Sequence, residues 1–119
     1  MVYFNIFIVA LLVLFLVGRM LPAKGVRQIT TAELKSDMKD KNKQFIDVRT
    51  PGEYQGRHIR GFRNIPLQQL PQKLGELSKD REVVVICQSG MRSTKASKLL
   101  KKSGFDKVTN VKGGMSAWS

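Results

Sequence analysis

With 119 residues, 42% hydrophobic and 25% charged, the chain has an ordinary globular balance and no room for a second catalytic domain within these residues. Lys and Arg number 21 against 9 Asp and Glu, a formal charge of +12, and every charged side chain lies from Arg19 onward. One cysteine, Cys87, and one histidine, His58, exclude an internal disulfide, a Cys-x-x-Cys pair and a thiolate or histidine metal cluster, so neither metal nor cofactor is expected.

The run from Val2 to Val17 is apolar except for Asn5. Counted through Leu21 it makes about 30 Å of helix, enough for a bilayer core. No Lys or Arg precedes it, and Leu21-Pro22-Ala23 is a poor small-x-small cleavage site, which favours an uncleaved anchor over a signal peptide. Arg19 is placed to snorkel at the interface. Arg19, Lys24 and Arg27 follow the segment, so the positive-inside tendency puts the rest of the chain on the cytoplasmic side, where a free thiol is kept reduced. The expected organisation is an anchor over 1–21, a linker over 22–27 and one folded domain over 28–119.

Thr30-Thr31-Ala32-Glu33 has capping-box spacing, and Leu34 and Met38 follow at i and i+4, predicting a helix to about Lys41. Gln44–Val48 reads as a short strand stopped by Thr50-Pro51-Gly52, with Pro51 opening a short helix that carries Glu53 and Tyr54. Residues 56–66 read as loop. Leu67, Leu70, Leu74 and Leu77 then keep near-helical spacing with Pro71 interrupting, which predicts a broken helix. Glu82–Cys87 is apolar without alternation, the pattern of a central parallel strand covered on both faces. Seven loop residues lead from it into a helix with Ala96, Leu99 and Leu100 on one face, stopped at Gly104. Lys107–Val111 reads as a last strand, and Gly113-Gly114 opens a terminal turn ending at Trp118. Alternating helices and strands predict an α/β fold with a small parallel sheet flanked by helices.

Cys87 closes the strongest strand, and Gln88-Ser89-Gly90-Met91-Arg92-Ser93 precede a helix, which puts the sulfur in the crevice at the carboxyl end of the sheet. Gly90 permits backbone conformations that turn successive N–H groups inward around an anion, and the helix start adds its partial positive charge. A thiol with a pKa near 8.5 is about 3% thiolate at pH 7, and lowering that pKa by about two units takes roughly 2.7 kcal/mol of preferential anion stabilisation. Inward amides, the helix dipole and Arg92 are the sources at hand. A lone cysteine at a strand end is ordinarily core filler; a glycine, an arginine, a serine and a helix start within six residues favour a reactive group. A cysteine-dependent phosphatase loop needs Cys-x5-Arg, whereas four residues separate Cys87 from Arg92, making a smaller cavity suited to sulfur.

The sequence resembles the rhodanese sulfurtransferase family, in particular its small single-domain bacterial members. The resemblance covers nearly all of residues 26–119 and rests on four motifs in order: Asp47-Val-Arg49-Thr-Pro-Gly-Glu53-Tyr54, His58-Ile-Arg-Gly61 with Asn64-Ile-Pro66, Cys87–Ser93, and Gly113-Gly114-Met-Ser-Ala-Trp118. It implies a catalytic Cys87 that takes a sulfane sulfur from an anionic donor such as thiosulfate, holds it as a persulfide and passes it to a thiol or other sulfur acceptor. It further implies an anion cradle of Gln88, Ser89, Gly90, Met91, Arg92 and Ser93, with Arg92 meeting donor oxygens, and supporting roles for Asp47 and Arg49. The chain departs from the family where the glycine of Gly-His-Ile is displaced to Gly56 by Arg57, and at Phe62, where a small residue is common.

Other features have plainer readings. His58 is expected to be a structural hydrogen-bonding residue and Trp118 a core plug; Arg49 and Glu53 are placed to form an ion pair. The lysines are scattered without interleaved aromatics, which speaks against specific nucleic-acid binding and for attraction to an anionic membrane surface. Two rivals to the thiosulfate enzyme stand beside it: a persulfide relay to a protein partner, and a non-catalytic anion-binding or scaffold module. An intact Cys87 argues against the scaffold.

Overall fold

The computed structural model describes residues 2–21 and 24–119. Met1, Pro22 and Ala23, which the expected anchor and linker include, lie outside them, as do the side chains of Arg19 and Met20 and so the snorkelling expected of Arg19. Helix α1 spans Val2–Met20. Its apolar side chains stand bare: Leu11, Leu12, Val13, Leu14 and Leu16 are each half exposed or more. Among the described residues no helix is long and apolar enough to cross a membrane. The spanning anchor expected over 2–21 is therefore not supported.

The rest is an α/β unit. Five strands, β1 (Arg27–Ile29), β2 (Gln44–Asp47), β3 (Arg63–Asn64), β4 (Val83–Ile86) and β5 (Val108–Val111), form one all-parallel sheet in the order β1-β5-β4-β2-β3. The central strand β4 is fully buried on both faces, as its unbroken apolar run requires. Val83 and Val85 enter a core with Ile46, Leu70, Ala96, Leu100 and Phe105, while Val84 and Ile86 enter a second with Ile29, Leu34, Phe62 and Met115. Cys87 continues the first set, so strand alternation alone aims its side chain toward the helix that follows.

Helix α2 (Thr31–Asp37) starts with the expected capping box between Thr30 and Glu33 but ends at Met38 rather than near Lys41. Lys39 and Asp40 turn back onto the carbonyls of Ser36 and Asp37 in short-range turns that end the helix. Helix α3 (Pro51–Gly56) carries a second capping box, Thr50 with Glu53, and has Pro51 in its first turn. The leucine-rich stretch is broken as expected, into a 3-10 turn at Leu67–Gln69, α4 (Leu70–Lys73) and another 3-10 turn at Leu74–Glu76. The sequence reading missed β1 and β3, which are three and two residues long and carry too little pattern to show.

The main local correction concerns the cysteine loop. Helix α5 (Met91–Lys102) begins four residues earlier than a seven-residue loop would allow, with Gly90 at φ +113° as its N-cap. Met91, Arg92 and Ser93 therefore form the first turn of the helix, and Gln88-Ser89-Gly90 is all that remains of the loop. Helix α6 (Gly114–Ala117) follows β5 closely.

Candidate active site

Cys87 is 1% exposed and ends β4. Its Sγ accepts the Gly90 N–H at 3.0 Å and lies 3.3 Å from the Ser93 hydroxyl, to which the thiol donates. The Ser93 hydroxyl in turn donates to the Gly90 carbonyl at 3.1 Å, tying sulfur, loop and helix start together. Among the described residues the Gly90 amide is the loop N–H bonded to sulfur. The first-turn amides of Met91, Arg92 and Ser93 have no acceptor inside α5, because the carbonyls one turn earlier lie in the loop. They leave a donor-rich helix start beside the thiol.

The loop is held in place by the chain's last helix. The Met115 N–H donates to the Cys87 carbonyl at 2.8 Å, and the Ser116 N–H to the Gln88 carbonyl at 2.9 Å, so the free amides at the start of α6 are satisfied by the cysteine loop. Gly114 makes this approach possible. A Cβ there would stand 2.2 Å from the Cys87 carbonyl oxygen, and its φ of +57° lies in the left-handed region. Gly113, Gly114, Met115 and Ser116 are positioning residues that reading the cysteine loop alone missed; the paired glycines before Trp118 were the available signal.

Two ion pairs flank the thiol. Asp47, fully buried, holds Arg49, 2% exposed, through both carboxylate oxygens at 2.8 to 3.1 Å, and also accepts the Arg49 N–H at 3.0 Å. Arg49 spends its other donors on the carbonyls of Glu53 and Arg57 and on Gln88 Oε1 at 3.3 Å. Asn64 bonds the carbonyls of Asp47 and Arg49, joining β3 to the same knot. Every donor and acceptor around the buried pair is thereby used, the condition under which burying a charge pair is tolerable.

The second pair is Glu53 with Arg92, bidentate at 2.6 and 2.9 Å and about one-third exposed on both sides. The Arg92 guanidinium, then the Thr50 bonds of the capping box, hold the Glu53 carboxyl down at about 2 despite some desolvation, and Glu53 in return raises Arg92. The ion pair expected between Arg49 and Glu53 does not form. Arg49 reaches only the Glu53 carbonyl because Asp47, two residues away on the same strand end, takes its guanidinium and Arg92 takes the Glu53 carboxylate.

Of the residues expected in the cradle, Gly90 and Ser93 touch the sulfur, and Gln88 faces away, its amide bonded to Ser116 Oγ at 3.2 Å. Ser89 is exposed and Met91 is 68% exposed at the rim. Arg92 is on Glu53. His58 Nδ1–H donates to the Tyr54 carbonyl at 2.7 Å and the imidazole stacks on the Tyr54 ring, a structural hydrogen-bonding role. Trp118 packs, half-buried, against the second core under Lys35. No group of His, Cys, Asp and Glu able to hold a metal occurs among the described residues.

The comparisons with known proteins bear on the same residues. The chain is 47% identical to the Bacillus subtilis (strain 168) uncharacterized protein YqhL over 75 residues, 63% of this chain and 60% of that protein. It is thus similar to only part of that relative's length. It is 42% identical over 94 residues to the putative sulfurtransferase YtwF of the same organism, covering 78% of this chain and 90% of the relative. Among solved structures, a rhodanese-like domain protein from Staphylococcus aureus superimposes with a TM-score of 0.73 at 35% identity, covering 79% of this chain and 92% of the other. The family model described as rhodanese-like domain matches residues 30–119, three-quarters of the sequence and all of the residues around Cys87, and the chain belongs to the rhodanese-like domain family.

Proposed function

We propose that this chain is a sulfurtransferase that moves a sulfane sulfur from thiosulfate or a similar donor to a thiophilic acceptor through a persulfide on Cys87. The observation that carries the reading is the seat of the thiol. The Cys87 sulfur ends the central strand against the Gly90 amide and the Ser93 hydroxyl, with the unbonded first-turn amides of α5 beside it. Such donors stabilise a thiolate and, one atom further out, a terminal persulfide sulfur. With thiosulfate, the thiolate bonds the outer sulfur, the S–S bond breaks, sulfite leaves, and one proton from solvent leaves Cys87 as a neutral persulfide. The name of the relative YtwF, putative sulfurtransferase, agrees with this chemistry.

Intact mass of the full-length chain in detergent, after incubation with thiosulfate or an alkyl persulfide, tests the reading. A gain of one sulfur atom that is absent from Cys87→Ser and blocked by prior alkylation is expected. A folded chain that gains sulfur from neither donor would leave the anion-binding module as the better reading.

The proposal extends to location. Helix α1 exposes apolar side chains around its circumference, and lipid is the surrounding that such a helix suits. Attachment of the chain to a membrane through residues 2–21, with the α/β unit on the cytoplasmic side, accounts for both the bare helix and the cations that follow it. High-salt washing should leave the chain on membranes and detergent should release it. Labelling of its lysines by an impermeant amine reagent on intact cells would overturn the orientation.

A further inference from the structure

We propose that Glu53 is a specificity-determining residue for this site: by clamping Arg92 it turns the cradle from sulfonate-bearing donors such as thiosulfate toward donors whose sulfane sulfur is carried on a thiol. The inference rests on the sulfur-transfer reading above and names its substrate class.

Three observations carry it. First, the guanidinium groups tied to the loop and its helix are both already matched to carboxylates. Arg92 gives both terminal nitrogens to Glu53, and Arg49 is enclosed by Asp47 and backbone carbonyls. Second, the remaining long polar side chain of the loop, Gln88, is fixed between Arg49 and Ser116. The three oxygens of a sulfonate, which lie one bond beyond the transferred sulfur, would therefore meet no free cation from the loop. Third, the residue directly after the sulfur-bound Gly90 is Met91, 68% exposed; outside α1 and the adjoining Leu21 it is the one large hydrophobic side chain left so open among the described residues. A soft, apolar thioether beside the cysteine loop suits the carbon and sulfur of a thiol carrier better than a hydrated dianion.

The backbone amides serve both donor classes alike, since both present the same outer sulfur to them. With a thiol-borne donor the Cys87 thiolate bonds the outer sulfur of R–S–SH, the S–S bond breaks, and R–S⁻ leaves while the proton stays on the new Cys87 persulfide. No further oxidant or reductant is needed.

The experiment compares kcat/KM for thiosulfate and for a small alkyl persulfide in the full-length chain and in Glu53→Gln. Glutamine keeps an acceptor for the capping box with Thr50 but gives up the charge that holds Arg92. The thiosulfate-to-persulfide ratio is expected to rise about tenfold in Glu53→Gln, the scale of one charge-assisted contact. Adding Arg92→Ala to Glu53→Gln should erase the rise; a merely structural ion pair would change stability without moving the ratio. A ratio that stays constant or falls while sulfur is still transferred overturns the inference and leaves the function standing. If neither donor loads Cys87 in the parent chain, it is the functional reading that fails. Should Glu53→Gln not fold, the parent chain decides by itself: thiosulfate preferred over the alkyl persulfide at equal concentration overturns the proposal.

Discussion

The two ends of the parallel sheet use charge differently. At the amino ends of β1, β2 and β4, Arg27, Lys43, Asp37 and Glu82 form a network of side chains only, at 2.7 to 3.4 Å, with Arg27 about half exposed. At the carboxyl ends, Asp47–Arg49 and Glu53–Arg92 reach past each other to backbone groups of Arg49, Thr50, Glu53 and Arg57, and Arg49 also reaches the Gln88 side chain of the cysteine loop. The first network joins elements that the sheet already holds together. The second ties the turn and helix after β2 to the cysteine loop and to the start of α5, which no strand pairing reaches. Charge pairs of similar length thus do different things according to whether they substitute for missing backbone order.

That contrast predicts a ranking of effects. Removing Arg49 should be the most damaging, because Arg49→Ala strands the buried Asp47 carboxylate and takes the donor from the Glu53 and Arg57 carbonyls; about 3 to 5 kcal/mol of stability should be lost in denaturant unfolding. A loss below about 1 kcal/mol would mean that the carboxyl-end pair is no more of a tie than the amino-end network.

Glycine substitutions sharpen the comparison without changing charge. Gly114→Ala places a Cβ against the backbone of Cys87 and Gln88, which cannot yield without moving the thiol, so a loss of about 3 kcal/mol and of sulfur loading is expected. Gly104→Ala has a comparable left-handed φ, +96°, but its Cβ meets only the end of the Lys79 side chain. It should cost about 1 kcal/mol of backbone strain and leave sulfur loading intact, as read by thermal melting and intact mass.

The smallest effect is on acid stability. The folded-state pKa of Glu53 is depressed to about 2 and that of Asp37 is lowered by its Arg27 and Lys43 bonds, so both groups stabilise the fold above their unfolded values and lose that contribution as pH falls through the folded ones. For Glu53 the window runs from about pH 4.5 down to about 2. The stability difference between the parent chain and Glu53→Gln should be about 1 kcal/mol or less at pH 6, given the exposure of the pair, and should vanish by pH 2. An undiminished difference at pH 2 would show that the charge is not its source.

Much of this was legible in the sequence because it is encoded locally. The capping box at Thr30, the helix opened by Pro51 and the apolar run of β4 depend on residues close together in the chain, and each forms where its pattern stands. The cysteine after the central strand and the glycine behind it likewise stand together, Gly90 donating to the sulfur. The start of α5 was misplaced because Met91-Arg92-Ser93 has no strong helix signal. The turn is helical because Gly90 can adopt a positive φ and its carbonyl can accept from Thr94. Strands β1 and β3 were invisible because strands of two or three residues have no period; they exist through pairing with Thr109–Val111 and with Ile46 and Asp47.

By itself the sequence determined an α/β unit with Cys87 at the carboxyl end of its central strand, since hydrophobic periodicity and turn chemistry are short-range properties. Only the tertiary structure decided who pairs with whom around that thiol. Asp47, Arg49, Glu53 and Arg92 come from two stretches of chain, and Gly114 from a third, and several pairings among them were chemically equal on paper. Which of them forms depends on where the sheet sets each strand end, a long-range geometry that no local pattern of residues contains.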